Sequence, residues 1–149
     1  MAPAPTFGHP PGVHVGAEFA TRRELRAAGV HRPTRAGICG TALTGAESIV
    51  LSGGYEDDDD QGDVVLYTGH GGRDEKSGKQ IRHQAPAPGT LALIASQERG
   101  LPVRVVRGAG TPHGPRAGYR YDGLYRVAEH WQEVGRSGHV VWRFRLERR

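Results

Sequence analysis

Cysteine, lysine and long apolar runs are nearly missing from this sequence. Cys39 is the only cysteine in 149 residues. That excludes an internal disulfide and a thiolate-based structural zinc site, and it suits a reducing compartment such as the cytoplasm. No apolar run approaches the roughly 20 residues needed to span a bilayer. The stretch Met1–Gly12 has neither a basic n-region nor an apolar h-region, so no secretory signal is read there. Hydrophobic residues reach only 36%, against 23 glycines and 10 prolines. Such a composition argues against a helical bundle and for one small β-rich domain, large enough to bury a core without staples.

Charge is the next feature. The net value is +4, but the signs are segregated. Residues 56–63 hold six carboxylates (Glu56, Asp57, Asp58, Asp59, Asp60, Asp63) and no Lys or Arg. The rest of the chain has 20 basic and 10 acidic side chains, a balance of +10. Of those 20, 18 are Arg and two are Lys. Dispersed guanidinium groups suit phosphate binding. A solvated basic surface, or codon bias in a GC-rich genome, produces the same excess, so charge alone leaves both readings open.

Along the chain, residues 1–12 read as a disordered Pro-rich lead to a domain spanning 13–149. Thr21-Arg-Arg-Glu24 is a capping-box pattern and predicts a short helix over about 21–28, ended by Gly29. His31–Gly37 reads as a loop. Strands are expected at 47–51 and 63–67, joined by the Gly-rich and acidic segment. Residues 69–88 carry no periodicity and read as one long loop, a length usually functional or disordered. Thr90–Arg99 is a helix stopped by Gly100. The C-terminal third carries the strongest strand signal, at 102–107, 124–131 and 140–146. Val140, Trp142, Phe144 and Leu146 alternate there with Val141, Arg143, Arg145 and Glu147, a period of two that places one face in the core.

Several chemistries are set aside on spacing. Asp57-x-Asp59-x-Gln61-Gly62 imitates the opening of a calcium loop, but Thr68 stands where a bidentate Glu is required. For most of these carboxylates the plain reading is a solvated acidic loop, with one or two aimed inward as acceptors. The eight histidines show no ligand spacing. No GxSxG or phosphate-binding loop is present, since Gly69-His-Gly-Gly-Arg73 lacks the Lys-Ser/Thr that would complete one. Cys39 has no base partner and reads as an inert small side chain. The sequence implies no metal and no cofactor.

A set of longer motifs remains: Val30-His-Arg-Pro33 with Ala36-Gly-Ile38, Leu51-Ser-Gly-Gly-Tyr55 running into the acidic segment to Gly62, Tyr67-Thr-Gly-His-Gly-Gly-Arg-Asp74, Pro102–Arg107, Gly118-Tyr-Arg-Tyr-Asp-Gly123 continuing to Val127, and Ser137–Phe144. In this order they strongly resemble the SRA (SET- and RING-associated) domain, also called YDG for the motif that here is Tyr121-Asp-Gly123. The resemblance covers about Pro11 to the C-terminus. It implies an α+β fold, a PUA-like curved β-barrel or sheet with a few short helices. It also implies binding of double-stranded DNA containing 5-methylcytosine or a related base, which is flipped out of the duplex.

Carried over by position, the resemblance makes Tyr55 and Tyr67 the plates around the flipped base and Asp58 the acceptor from its amino group. Thr68, Ser52, Gly53 and Gly54 would line the pocket near the 5-substituent. Arg73 would hold phosphate, with Arg35, Lys76, Lys79 and Arg82 as further backbone or groove contacts. Residue chemistry agrees: a flipped base needs flat faces, an acceptor for N4 and closely approaching backbone N–H groups, which glycines permit. Without the resemblance, ordinary core packing is the plainer reading of both tyrosines. Two loops depart from the eukaryotic pattern. Thr34-Arg35 stands where a valine-bearing loop would wedge, and Glu75–Arg82 replaces the usual basic finger, so CpG context and hemimethyl preference do not transfer. The expected protein is a non-enzymatic bacterial reader, cytoplasmic and nucleoid-associated when bound. One alternative is the specificity module of a modification-dependent HNH restriction endonuclease whose nuclease acts in trans or is a missing fusion. Others are a glycosylase using Asp58 as base and a generic nucleic-acid binder.

Overall fold

The computed structural model of this chain describes residues 4–74 and 76–149; Met1–Pro3 of the lead and Glu75 of the long loop lie outside the described residues. Thr21 caps helix α1 (Arg22–Ala27): its hydroxyl accepts from the Glu24 N–H, and the Glu24 carboxylate accepts from the Thr21 N–H. This is the reciprocal satisfaction of orphan donors that the Thr-x-x-Glu spacing predicts. Helix α2 (Pro88–Arg99) has proline in its first turn, where a missing N–H costs nothing, and stops at Gly100 in the left-handed region, φ 65°.

Eight strands are described: β1 (Glu18–Phe19), β2 (Ile38–Thr41), β3 (Gly45–Leu51), β4 (Asp59–Asp60), β5 (Val64–Thr68), β6 (Val103–Gly108), β7 (Tyr119–Val134) and β8 (Val140–Arg148). They form one open mixed sheet in the order β2-β3-β6-β7-β8-β5-β4, with β1 added on β7. The β3–β6 pair is parallel and the other named pairs are antiparallel. The α+β class is thus observed, as an open sheet rather than a closed barrel. All five expected strands form. The segment expected at 124–131 extends to the whole of β7, because its two halves have different partners, β6 up to Tyr125 and β8 from Tyr125 on, the latter with a register shift at Val127/Glu129. Strand β2 and the two-residue β1 and β4 were not expected; they are too short to show a period.

Apolar side chains pack on both faces of the sheet. On one, Ile49, Leu51, Val105, Tyr125, Phe144 and Leu146 meet Ala92 and Leu93 of α2. On the other, Val50, Val106 and Tyr121 meet Leu25 of α1 and Val30. All seven residues of β3 are buried, as expected of a central strand covered on both sides.

The lead does not behave as composition suggests. Thr6 N–H donates to Glu47 Oε1 at 2.9 Å, and Arg104 Nη1 donates to the carbonyls of Thr6 and Gly8 at 2.8 and 3.1 Å. His9 Nδ1 lies 2.7 Å from the Tyr121 hydroxyl. Residues 6–9 are therefore held by buried polar groups of β3, β6 and β7, which corrects the reading of 1–12 as disordered for this part. The physical reason is that Arg104 and Glu47, each 1% exposed, need partners away from water, and the lead supplies them.

Candidate nucleic-acid interface

The acidic run does not form one solvated patch. Its carboxylates point to different partners. Asp57 Oδ1 accepts from the Arg136 N–H at 2.9 Å, tying the run to the β7–β8 turn. Asp60 makes a two-pronged pair with Arg107, Oδ2–Nε 2.7 Å and Oδ1–Nη2 2.8 Å. Asp63 pairs with Arg148, and Glu56 accepts from the Gln80 N–H at 3.1 Å. Asp59 and Asp63 are the exposed members. Asp58 is turned the other way: its Oδ1 accepts from the Thr68 N–H at 2.7 Å and its carboxyl lines a cavity. Burial pushes its pKa up to about 6, against the Thr68 hydrogen bonding that favours the charged form.

The YDG motif belongs to this scaffold rather than to the cavity. Asp122 sits between Arg107 (2.9 Å) and Arg120 (2.5 Å). Tyr121 is fully buried in the second core cluster, and Gly123 takes φ 93°, which favours glycine.

The long loop 69–88 is ordered by two buried glutamines. Gln84 donates to the Gly69 carbonyl and accepts from the Trp142 N–H, and Gln80 donates to the Gly71 carbonyl. They satisfy the backbone of the glycine run that carries His70. Beyond it the chain doubles back: Arg73 bridges to Gln80, the Asp74 N–H donates to the Lys79 carbonyl, and the Asp74 carboxylate accepts from Ser77 Oγ. The result is a tight finger with Lys76, Lys79 and Arg82 exposed.

A second loop, 33–36, is pinned from inside. Arg22 donates to the carbonyls of Pro33, Arg35 and Ala36 at 2.9, 3.4 and 2.5 Å. His31 Nε2 lies 2.9 Å from the same Ala36 oxygen, and its Nδ1 lies 2.7 Å from Ser48 Oγ. Burial lowers the His31 pKa to about 4, so the ring is neutral at pH 7. Arg35 projects from this pinned loop into solvent.

Between the two loops lies a cavity of about 210 Å³. That is below the roughly 300–1,000 Å³ of sites for drug-sized ligands and suits a single flat heterocycle. Tyr55, Asp58, Tyr67, Ser52 and Gly54, all expected at the pocket, line it, with Arg35 and Arg73 at its walls. Tyr67 is 3% exposed and its hydroxyl donates to the Gly37 carbonyl at 3.4 Å. The Tyr55 hydroxyl accepts from the Gly71 N–H at 3.2 Å. Arg73, expected on phosphate, is turned inward instead: Nη1 donates to the Gly54 carbonyl at 2.7 Å and Cζ lies 5.0 Å from the Tyr55 ring centroid.

Two expected pocket residues are not at the cavity surface. Thr68 is fully buried and acts through its N–H on Asp58. Gly53, φ 74°, faces the Gly110 carbonyl, where an added Cβ would come within 2.7 Å; it makes the turn that lets Gly54 reach the cavity. Lys76, Lys79 and Arg82 lie on the finger, away from the cavity lining. Arg22, Ala36, Gly37, Val50 and His70 line the cavity although sequence reasoning gave them no role. Gly37 and His70 stood inside quoted motifs. Arg22 looked like an ordinary first-turn helix residue, and nothing local marks its reach to residues 33–36.

The sequence profile of the SAD/SRA domain matches residues 6–149. The chain is 41% identical over 170 residues to the E3 ubiquitin-protein ligase UHRF1 of Rattus norvegicus, covering 99% of this chain and 22% of that protein. Among solved structures it resembles the modification dependent TagI restriction endonuclease, with a TM-score of 0.93 and 49% identity, over 99% of this chain and 54% of that one. It also resembles the SRA domain of SUVH5 bound to fully hydroxymethylated CG DNA, with a TM-score of 0.83 and 42% identity, over 97% and 94% of the two chains. The chain therefore spans about a fifth of the curated relative's length. No described helix is long and apolar enough to cross a membrane.

Proposed function

Because this chain belongs to the SAD/SRA domain family, we propose that it is a non-catalytic module that binds duplex DNA containing 5-methylcytosine, or a related 5-substituted cytosine, by taking the base into the cavity between Tyr55 and Tyr67. The observation that carries the proposal is the convergence of two tyrosines, an inward carboxylate and close backbone in one base-sized cavity. The crystal structures of SUVH5 with methylated and hydroxymethylated DNA support it by similarity. Stacking is worth roughly 1–3 kcal/mol per base, and extrusion costs a few kcal/mol, so plates plus edge contacts offset the cost. Asp58 accepts from the cytosine N4 amino group. The exposed Arg35, Lys76, Lys79 and Arg82 hold phosphates, while Arg73 serves the pocket wall.

The similarity to TagI, of which this chain matches only part, favours a second reading of the same site: a specificity module whose binding directs a nuclease partner, in trans or in a longer chain. A nuclease activity that appears only when such a partner is added, and only on modified duplex, would support it.

Binding should respond to pH through Asp58. Asp58 is an acceptor at both oxygens only when ionised, since protonation puts an O–H donor against the N4 amino group, and burial pushes its pKa up to about 6. Affinity for modified duplex is flat above pH 7 and falls by up to about tenfold per unit once pH drops below 6, because the proton must leave before the base binds. Asp58→Asn keeps an acceptor that does not titrate, so its profile should lack the step. A wild-type profile without a step between pH 5 and 7 contradicts the assignment of Asp58.

Salt separates the two layers of binding. The slope of log K on log salt should be about −0.9 per phosphate neutralised. Lys79→Ala or Arg82→Ala should each flatten it by about one unit and weaken modified and unmodified duplexes alike. Preference for the methyl is then read at fixed salt on matched duplexes carrying cytosine, 5-methylcytosine or 5-hydroxymethylcytosine. Burying one methyl is worth about 0.8 kcal/mol, so the expected preference over cytosine is several-fold. Hydroxymethylcytosine should bind within about two orders of magnitude of methylcytosine. Equal affinity for all three at every salt concentration leaves only a basic surface.

A further inference from the structure

The two tyrosine rings at the cavity are not parallel. His70 lies within 6° of the Tyr55 plane, centroids 5.8 Å apart, and at 56° to the Tyr67 plane, centroids 6.5 Å apart. The tyrosine planes are thus inclined to each other by 56° to within 6°. A flat heterocycle cannot lie face to face with both at that inclination, so one ring must turn. Tyr67 is the fixed one. It belongs to the main apolar cluster with Ile38 and Phe144, and its hydroxyl is held by the Gly37 carbonyl.

Tyr55 is the ring free to turn. It is half-buried and held by three separable contacts: the His70 ring, the Arg73 guanidinium and the Gly71 N–H. Of these, His70 alone also reaches Tyr67, with Nε2 3.5 Å from the Tyr67 hydroxyl oxygen. A Cβ placed on Gly37 would lie 3.2 Å from that same nitrogen, so glycine there leaves the imidazole its place. Burial, with the Arg73 charge second, keeps the His70 pKa below its ordinary value, so a neutral ring faces Tyr55.

We infer that His70 is a positioning residue that holds Tyr55 in an open setting, and that the plates become parallel only when Tyr55 exchanges the imidazole for the base. The inference rests on the base-pocket reading above. In this arrangement one aromatic contact is given up as another forms, so His70 opposes capture of a flipped base and leaves unflipped duplex unaffected. The same contact is lost whichever base enters, so His70 lowers occupancy of the pocket without changing the order of preference between bases.

The test compares three variants at position 70 in titrations of methylated and unmodified duplex, with thermal unfolding measured alongside. His70→Ala removes the competing ring and should tighten binding of methylated duplex roughly two- to tenfold, the order of one aromatic contact, and unmodified duplex by less, since less of its binding goes through base capture. His70→Gln also removes the ring and should tighten binding in the same way, which guards against a folding defect peculiar to alanine. His70→Phe keeps a flat ring against Tyr55 and should bind no better than the wild type. Weaker binding by His70→Ala and His70→Gln would mean that the imidazole contacts the base and would overturn the inference. So would unchanged affinity in both, or tightening by His70→Phe as well. If the wild type itself shows no preference for methylated duplex, the pocket reading fails. If it does and the ring-free variants do not tighten, only the role of His70 fails.

Discussion

Arg107→Met should lower the stability of the protein by about 3–5 kcal/mol, the cost of removing one partner from a buried ion network. Arg107 is 1% exposed. Its guanidinium joins Asp60 on the acidic run to Asp122 of the YDG motif and also donates to the Gly62 carbonyl at 2.8 Å and the Tyr125 hydroxyl at 3.3 Å. Methionine fills similar volume but leaves two carboxylates and two oxygens facing each other without their shared cation. Urea unfolding should show the midpoint falling with little change in slope. The neighbouring carboxylates serve as controls. Asp59→Ala, at an exposed position, should stay within about 0.5 kcal/mol of the wild type. Asp58→Ala should fold normally and lose about 1–3 kcal/mol of binding to modified DNA, because the N4 donor is left unpaired in a closed pocket. Loss of stability at Arg107, the partner of Asp60, loss of binding at Asp58 and loss of neither at Asp59 is the signature of divided roles within the run. Equal small effects at all positions would return the run to a solvated loop.

Tyr55→Ala should cost about 1–3 kcal/mol of binding to modified duplex, the worth of one stacked base, or roughly five- to 150-fold in affinity. Stability should change little, because Tyr55 is half-buried. Tyr55→Phe keeps the ring and loses the contact from the Gly71 N–H, so its effect should be milder. Tyr67 needs a different variant. Its ring is part of the main core, and Tyr67→Ala would lose about 3–5 kcal/mol of stability through the cavity left behind. Tyr67→Phe retains that packing and tests only the hydroxyl, which should matter little for stacking. If Tyr55→Ala folds and binds methylated duplex as the wild type does, Tyr55 is not a plate.

What could be read in the sequence was what is local. Thr21 and Glu24 mark α1, Gly100 stops α2, whose start at Pro88 lies two residues before the expected Thr90, and the alternating apolar residues from Val140 to Leu146 mark β8, because caps, turns and strand pleats are set by residues a few positions apart. Tyr55, Asp58 and Tyr67 were found through the resemblance; spacing alone would have left both tyrosines in the core, as Tyr67 in fact partly is. The partners of the acidic run were invisible because Asp57 accepts from the Arg136 backbone N–H, Asp60 pairs with Arg107 and Asp63 pairs with Arg148 across the fold. The lead was misread for the same reason: its order comes from Glu47 and Arg104, whose need for partners exists only once β3 and β6 are buried. Arg22 reaches the cavity from the first turn of α1 by holding carbonyls of the 33–36 loop, and His70 through a loop shaped by buried glutamines; no local pattern encodes either.

The central claim is that a modified cytosine leaves the helix and enters the cavity beside Tyr55, and base unstacking can be followed directly. A duplex carrying 2-aminopurine next to a single 5-methylcytosine is titrated with the wild type and with Tyr55→Ala at one fixed salt concentration. Extrusion of the methylated base removes the stacking that quenches its neighbour. The account predicts a saturable fluorescence rise with the wild type on the methylated duplex, a much smaller rise on the unmodified one, and little rise with Tyr55→Ala at matched occupancy. Saturable binding of the methylated duplex with no fluorescence change would contradict it.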